Sequence, residues 1–216
     1  MRKVAFALFP YKRDQDLIKI GEYTFKHKKI PYESITDGWN NSEDILGNDP
    51  GRVVAKRVAE QFPKLFVRSI GDDLSISKPI EDVARKTADA MDKNVLSWYP
   101  AHASCVGTFI IGLQDRNIII AVGTISTYLW NGRAWEKPNG IGDYVLDRQI
   151  YTLGSARFFG LGEFKGNSLY SPEPDTVVVS NTTPIFVATD GLIMDNSIMT
   201  IEELNEYSKK ASPYQR

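Results

Sequence analysis

The order of the secondary-structure patterns constrains the fold of this chain more than any single motif does. Three short strand patterns come first, over residues 3–9, 16–20 and 30–36, and two amphipathic helix patterns follow them. The chain then returns to strands, because the polar residues 114–116 separate two apolar runs and predict a hairpin. A short helix pattern over 200–210 comes last. This order predicts an α+β fold in which two packed antiparallel sheets carry helices on their outer faces.

The helix patterns have recognisable start signals. Asp49 followed by Pro50 places a capping carboxylate ahead of a proline in the first turn, and the first helix is predicted over 50–62. The second helix is predicted to begin at Ser77 and to end near Trp98, because a proline follows two residues later. The last helix pattern begins with a threonine and a glutamate that have the spacing of a capping box.

Composition excludes several classes of protein. The chain has 216 residues, of which 42% are apolar and 25% charged, so we expect a single domain over residues 1–216. Its net charge of −1 offers little attraction to nucleic acid. The lone cysteine, Cys105, rules out an internal disulfide, and no apolar stretch approaches the ~20 residues that span a bilayer. We therefore expect a cytoplasmic protein with no nucleic-acid or membrane partner.

Two Asp-Gly pairs are the candidates for chemistry. Asp37-Gly38 and Asp190-Gly191 each follow an apolar strand pattern. A carboxylate held at the end of a buried strand is costly unless it is paired or bound to a cation, and the adjacent glycine lets the backbone expose a carbonyl oxygen. Such oxygens suit Mg²⁺ and Mn²⁺. The alternative for each pair is a simple turn, because Asp-Gly is a common turn dipeptide.

Further short motifs precede and separate these pairs, and their order resembles that of the protein phosphatase 2C (PPM) family. The resemblance covers roughly residues 5–210 and includes a direct match to the family's [ST]-D-G-[LW] element. The matching segments are Asp14-Gln15-Asp16, Asp37-Gly38-Trp39-Asn40-Asn41, Val106-Gly107-Thr108, Ala121-Val122-Gly123-Thr124-Ile125-Ser126 and Thr189-Asp190-Gly191-Leu192.

The resemblance implies a four-layer α-β-β-α sandwich and a metal-dependent serine/threonine phosphatase that uses two Mn²⁺ or Mg²⁺ ions. By this likeness Asp37 would bridge both ions, Gly38 would offer its carbonyl oxygen and Asp190 would ligate one ion. Asp16 would be a ligand or would accept a hydrogen bond from metal-bound water, and Arg13 would bind the substrate phosphate. The implied partner is a phosphorylated protein, such as a serine/threonine kinase or one of its targets.

The chain also departs from the family's pattern. Thr124 replaces an aspartate that serves an additional metal, Ser126 replaces an arginine, and no D-N-x-T strand is recognisable after Asp190. We expect either a domain truncated at its C-terminus or a minimal or catalytically weak site. A phosphatase-fold protein that binds partners without catalysis is the main alternative. A third reading is an N-terminal-nucleophile amidohydrolase processed at Ser104 or Cys105.

Two other features have ordinary structural explanations, and a third has two open readings. We expect Cys105, at the start of an apolar strand, to be a small buried hydrophobe. Trp130 and Trp135 flank an Asn-Gly pair, which predicts a tight two-residue turn with the two rings packed across the strands. Trp39 follows Asp37-Gly38 directly and would either wall the metal cleft or cover the edge of the sheet.

Overall fold

A computed structural model describes ten parts of the chain. Within them, the elements follow the predicted order of strands, two helices, strands and a last helix. None of the three helices in these parts is both long and apolar enough to cross a lipid bilayer. The described parts are residues 16–40, 49–71, 79–98, 103–123, 125–138, 156–157, 159–160, 170–171, 173–189 and 200–211.

The strands and helices are numbered in chain order. The strands are β1 (Asp16–Phe25), β2 (Lys28–Asn40), β3 (Ala103–Leu113), β4 (Arg116–Val122), β5 (Ser126–Trp130), β6 (Trp135–Glu136), β7 (Ala156–Arg157), β8 (Phe159–Gly160), β9 (Tyr170–Ser171), β10 (Asp175–Ser180) and β11 (Ile185–Ala188). The helices are α1 (Pro50–Ile70), α2 (Ile80–Trp98) and α3 (Ile201–Ala211).

Two antiparallel sheets form the centre of the fold. The first sheet has the strand order β1-β2-β3-β4-β10, and β8 pairs with the beginning of β3. The second sheet has the order β11-β5-β6. The strands β10 and β11 follow each other in the chain yet lie in different sheets, so the short segment between them crosses from one sheet to the other. The small β7 and β9 pair is parallel.

Two apolar layers hold these elements together. Helices α1 and α2 pack on one face of the first sheet, where Phe62 of α1 stacks on Phe109 of β3 with ring centroids 4.0 Å apart. The opposite face contributes Ile110 and Ile119 to a second cluster with Leu129 of the second sheet. Helix α3 covers the outer face of the second sheet through the indole of Trp135. These layers confirm the predicted α-β-β-α sandwich.

The β1–β2 hairpin fixes the register of the first sheet. Lys26 and His27 form its two-residue turn, and both have positive φ, 46° and 68°. This conformation matches the twist of the flanking strands, although glycine or asparagine usually occupies such positions. The ladder is regular from Phe25 opposite Lys28 to the far end of β1. The ladder therefore sets which residues of β1 and β2 face each other.

Helix α1 begins as predicted but runs further. The Asp49 carboxylate accepts a hydrogen bond from the Arg52 amide at 3.2 Å, which confirms the N-cap. The prediction that the helix ends at residue 62 is wrong, because the helix continues through Pro63 to Ile70. Since Phe66 and Ile70 are buried on the same face as Phe62, core packing outweighs the hydrogen bond that the proline cannot donate.

The turn after β5 also differs from expectation. It spans four residues, because Asn131 donates its amide to the Ala134 carbonyl and its side chain accepts from the Arg133 and Ala134 amides. The predicted two-residue turn is therefore wrong, while the packing of Trp130 on Trp135 is confirmed at 5.5 Å between ring centroids. The hydrogen bonds that the Asn131 side chain accepts within the turn favour the four-residue turn over the two-residue turn.

Candidate functional site

Two predicted site residues lie opposite each other in the sheet. Asp16, the first residue of β1, pairs directly with Asp37 of β2 in the antiparallel ladder. Opposed residues of such a pair have their Cβ atoms about 4.5–5.5 Å apart and point to the same face. The register therefore brings together two carboxylates that are 21 positions apart in the sequence.

This face is the one turned toward the second sheet. Thr36 and Ser34 alternate with Asp37 along β2, and their hydroxyls donate to the Ala55 and Ala59 carbonyls of helix α1. Because side chains alternate along a strand, Asp37 lies on the face opposite to α1. Asp16 shares that face, and both aspartates are half-buried.

A hydrogen bond from the second sheet reaches Asp16. The Thr189 hydroxyl lies 3.1 Å from Oδ2 of Asp16 and donates to it. Thr189 directly follows β11, so the bond joins residues 173 positions apart and connects the two sheets. The sequence motif contained Thr189, but sequence reasoning gave its hydroxyl no role. The position of Thr189 immediately before Asp190 was the sequence feature that could have indicated a role for this hydroxyl.

The Asp37-Gly38 pair is not a turn. We predicted that the strand stops there, but β2 continues to Asn40, with Gly38 paired to Cys105 of β3 and Trp39 paired to Ser104. The prediction was wrong because β3 is long enough to extend the ladder past the glycine. The carboxylate of Asp37 is therefore held on a paired strand rather than on a loop, which limits its movement.

Gly38 is required by a close approach of two backbones. A Cβ atom at this position would lie 2.2 Å from the carbonyl oxygen of Gly51, in the first turn of α1. In return, a Cβ on Gly51 would lie 2.9 Å from the backbone of Trp39. The start of α1 is thus pressed against β2 immediately beside Asp37, and only a pair of glycines permits this contact.

Cys105 lies beside the site and is unsuited to nucleophilic chemistry. Its side chain is buried, as we predicted. Burial raises the pKa of the Cys105 thiol well above its usual range, and the Asp37 carboxylate raises this pKa further. A thiol that stays protonated at neutral pH is a poor nucleophile. This argues against the reading in which Cys105 is an N-terminal nucleophile.

The aspartate pair fits a divalent cation chemically. Two neighbouring carboxylates repel each other, and a cation between them would offset that repulsion. Carboxylate oxygens, together with a glycine carbonyl, are ligands that Mg²⁺ and Mn²⁺ prefer. Within the described residues, no group of three or more His, Cys, Asp or Glu side chains converges. The described part of the site is thus an aspartate pair.

Another buried carboxylate was not foreseen. Asp92 of α2 is only 3% exposed and accepts a hydrogen bond from the Gly160 amide at 2.9 Å. This bond holds β8 against the beginning of β3, next to Cys105. The helical spacing of Asp92 from Ala88, four residues earlier on the buried face, was the signal that could have revealed it.

Several predicted residues lie outside the described parts. Among them are Asp190 and Gly191, the second Asp-Gly pair, and Arg13, the candidate phosphate-binding residue. Thr124, which replaces an expected aspartate, also lies outside. The roles assigned to these residues stay predictions.

Comparison with known proteins identifies the fold. No family model and no curated protein matches the chain. Among solved structures, serine-threonine phosphatase 2C from Toxoplasma gondii superposes with a TM-score of 0.60 at 14% identity, over 95% of this chain and 81% of that one. A bacterial serine phosphatase gives 0.58 at 15% identity, over 92% and 85% of the two chains.

A third similar structure has the same kind of activity in its name. The serine/threonine phosphatase PstP/Ppp of Mycobacterium tuberculosis superposes with a TM-score of 0.56 at 15% identity, over 92% of this chain and 80% of that one. At such low identity the likeness establishes the fold and not the activity. The chain therefore has the fold of the protein phosphatase 2C-type serine/threonine phosphatases.

Proposed function

We propose that this chain is a metal-dependent phosphatase that removes phosphate from phosphoserine or phosphothreonine in proteins. The observation that carries the proposal is the pairing of Asp16 with Asp37 on the face toward the second sheet, with Thr189 in contact from that sheet. Asp190 follows Thr189 directly in the sequence. The sequence thus has a third acidic residue directly after the one whose hydroxyl contacts Asp16.

Each residue of the candidate site has a distinct proposed role. Asp37 would hold both ions, Gly38 would add its backbone carbonyl, and Asp190 would hold one ion. Asp16, oriented by Thr189, would be a ligand or would accept a hydrogen bond from water in the ion's hydration shell. Arg13 would bind the phosphate of the substrate.

Mn²⁺ or Mg²⁺, when bound, would supply the Lewis acidity that makes water a strong enough nucleophile at neutral pH to attack phosphorus. The protein's own part would be to hold the reacting groups in position. Because Asp37 lies on a paired strand, its oxygens need little reorganisation before the reaction. The similar structures named as serine/threonine phosphatases support phosphoserine and phosphothreonine as the substrate class.

The test is release of inorganic phosphate from a phosphothreonine peptide with Mn²⁺ and with EDTA. We expect Asp37→Asn to lower kcat/KM by at least about a hundredfold, because it removes one ligand charge. Asp115→Asn is the matched control, since this exposed carboxylate lies in the turn at the far end of β3. Equal activity of wild type and Asp37→Asn would contradict the proposal.

The departures from the family's pattern motivate a second candidate. With Thr124 in place of an aspartate, the chain could bind phosphoproteins without hydrolysing them. In that case a phosphothreonine peptide would bind in a titration, while no Mn²⁺-dependent phosphate release would be measured. Turnover above the EDTA background excludes this candidate.

A further inference from the structure

Trp39 is an exposed aromatic residue beside the aspartate pair. It lies two positions after Asp37 on β2, so both side chains are on the same face of the sheet, about 7 Å apart along the strand. Its side chain is 43% exposed, although tryptophan is usually well covered in a folded protein. This exposure leaves part of the indole surface open to a ligand.

The backbone of Trp39 is held firmly. It pairs with Ser104 of β3, and on its other side Gly51 of α1 packs against it so closely that a Cβ would lie 2.9 Å away. An indole on such a backbone has only two side-chain torsions left. Rigid aromatic residues of this kind lose little entropy when a ligand covers them.

Other tryptophans of the chain have partners. Trp135 donates its indole N–H to the Ser208 hydroxyl, and Trp98 lies under the guanidinium of Arg57 at 4.9 Å. Within the described residues, no aromatic ring or cation packs on Trp39. Its apolar surface is therefore open next to the site where the proposed function places a phosphoresidue.

We propose that Trp39 is a specificity-determining residue that binds a large apolar side chain of the substrate, two positions from the phosphoresidue. This inference rests on the proposed function. In an extended peptide, residues two positions apart share a face and lie about 7 Å apart, which equals the spacing of Asp37 and Trp39 along β2. A leucine or phenylalanine at that position would bury apolar surface on the indole.

The test uses phosphothreonine peptides in an alanine background, with leucine two positions before or two positions after the phosphoresidue. For wild type with Mn²⁺, we expect one leucine peptide to exceed the all-alanine peptide by about threefold to tenfold in kcat/KM. In Trp39→Ala that ratio should fall to about one, and Trp39→Phe should keep part of it. The ratio within one variant cancels any general loss of active protein. Peptides are used instead of p-nitrophenyl phosphate, because the ring of that compound could itself stack on the indole.

Tyr207→Ala is the matched control, because Tyr207 is an exposed aromatic residue on α3. It should keep the wild-type preference. Turnover of all peptides with no preference in wild type, or a preference that survives in Trp39→Ala, overturns this inference and leaves the proposed function standing. A protein that releases no phosphate with Mn²⁺ overturns both.

Discussion

At the scale of single residues, Asp16 and Asp37 depend on the pairing of β1 with β2, and Asp16 depends further on Thr189. The sequence predicted the two aspartates as site residues from their place in short motifs. It could not predict that they oppose each other, because register is set by the turn at Lys26-His27. The contact with Thr189 joins distant parts of the chain and exists only in the folded state.

Replacing Thr189 tests whether its hydroxyl orients Asp16. Thr189→Val keeps the shape of the side chain but removes the donor to Oδ2 of Asp16. We expect Mn²⁺ affinity, measured by isothermal titration calorimetry, to fall about tenfold, as is typical when a residue supporting a ligand is lost. Thr189→Ser keeps the hydroxyl and should bind Mn²⁺ nearly as wild type does. Unchanged affinity in Thr189→Val would refute this role.

The environment of Cys105 makes a second prediction at this scale. Because burial and the neighbouring Asp37 raise the pKa of its thiol, the reactive thiolate is scarce and shielded in the folded protein. We expect iodoacetamide at pH 8 to modify native protein at least about a hundredfold more slowly than free cysteine. In urea the rate should follow the unfolded fraction, as mass spectrometry would report. Fast alkylation in native buffer would show that the site is open.

At the scale of elements, the contact between β2 and the start of α1 decides how precisely Asp37 is placed. Gly38→Ala would bring a Cβ to 2.2 Å from the backbone oxygen of Gly51, and neither element can yield easily. We expect the free energy of unfolding to fall by about 3 kcal/mol or more. Urea denaturation measures this value.

Gly21→Ala is the matched control in the same hairpin. A Cβ there would lie 2.8 Å from the Tyr32 hydroxyl and 2.9 Å from the adjacent ring carbon, so it would meet a side chain and not backbone. We expect a loss of about 1 kcal/mol, clearly below that of Gly38→Ala. Similar losses for the two variants would mean that the glycine pair does not position β2.

Local signals in the sequence predicted some element bounds and missed others; the predicted end of α2 near Trp98 is confirmed. The Asp49 cap is confirmed, and so is the capping box of α3, in which Thr200 and Glu203 exchange hydrogen bonds at 2.8 and 3.2 Å. Residue 62 was predicted as the end of α1, and the strand was predicted to stop at Asp37. Both were wrong, because packing and strand pairing extend the elements past residues that locally disfavour them.

At the scale of the whole molecule, the sandwich was predictable from the order of elements, because few layered arrangements satisfy it. The assignment of β10 and β11 to different sheets was not, since both read as similar apolar strands. Yet this crossover brings Thr189 to Asp16. A single domain over residues 1–216 and a cytoplasmic location stay predictions.

The central claim is that acidic residues from both ends of the sequence hold divalent cations at the edge between the two sheets. A crystal soaked in Mn²⁺ and measured at the manganese absorption edge tests this claim most directly. We predict anomalous peaks about 2.0–2.3 Å from carboxylate oxygens of Asp37, with Asp190 at one of them. The claim would be contradicted if the side chains of Asp16, Asp37 and Asp190 are ordered at saturating Mn²⁺ and no anomalous peak lies between them.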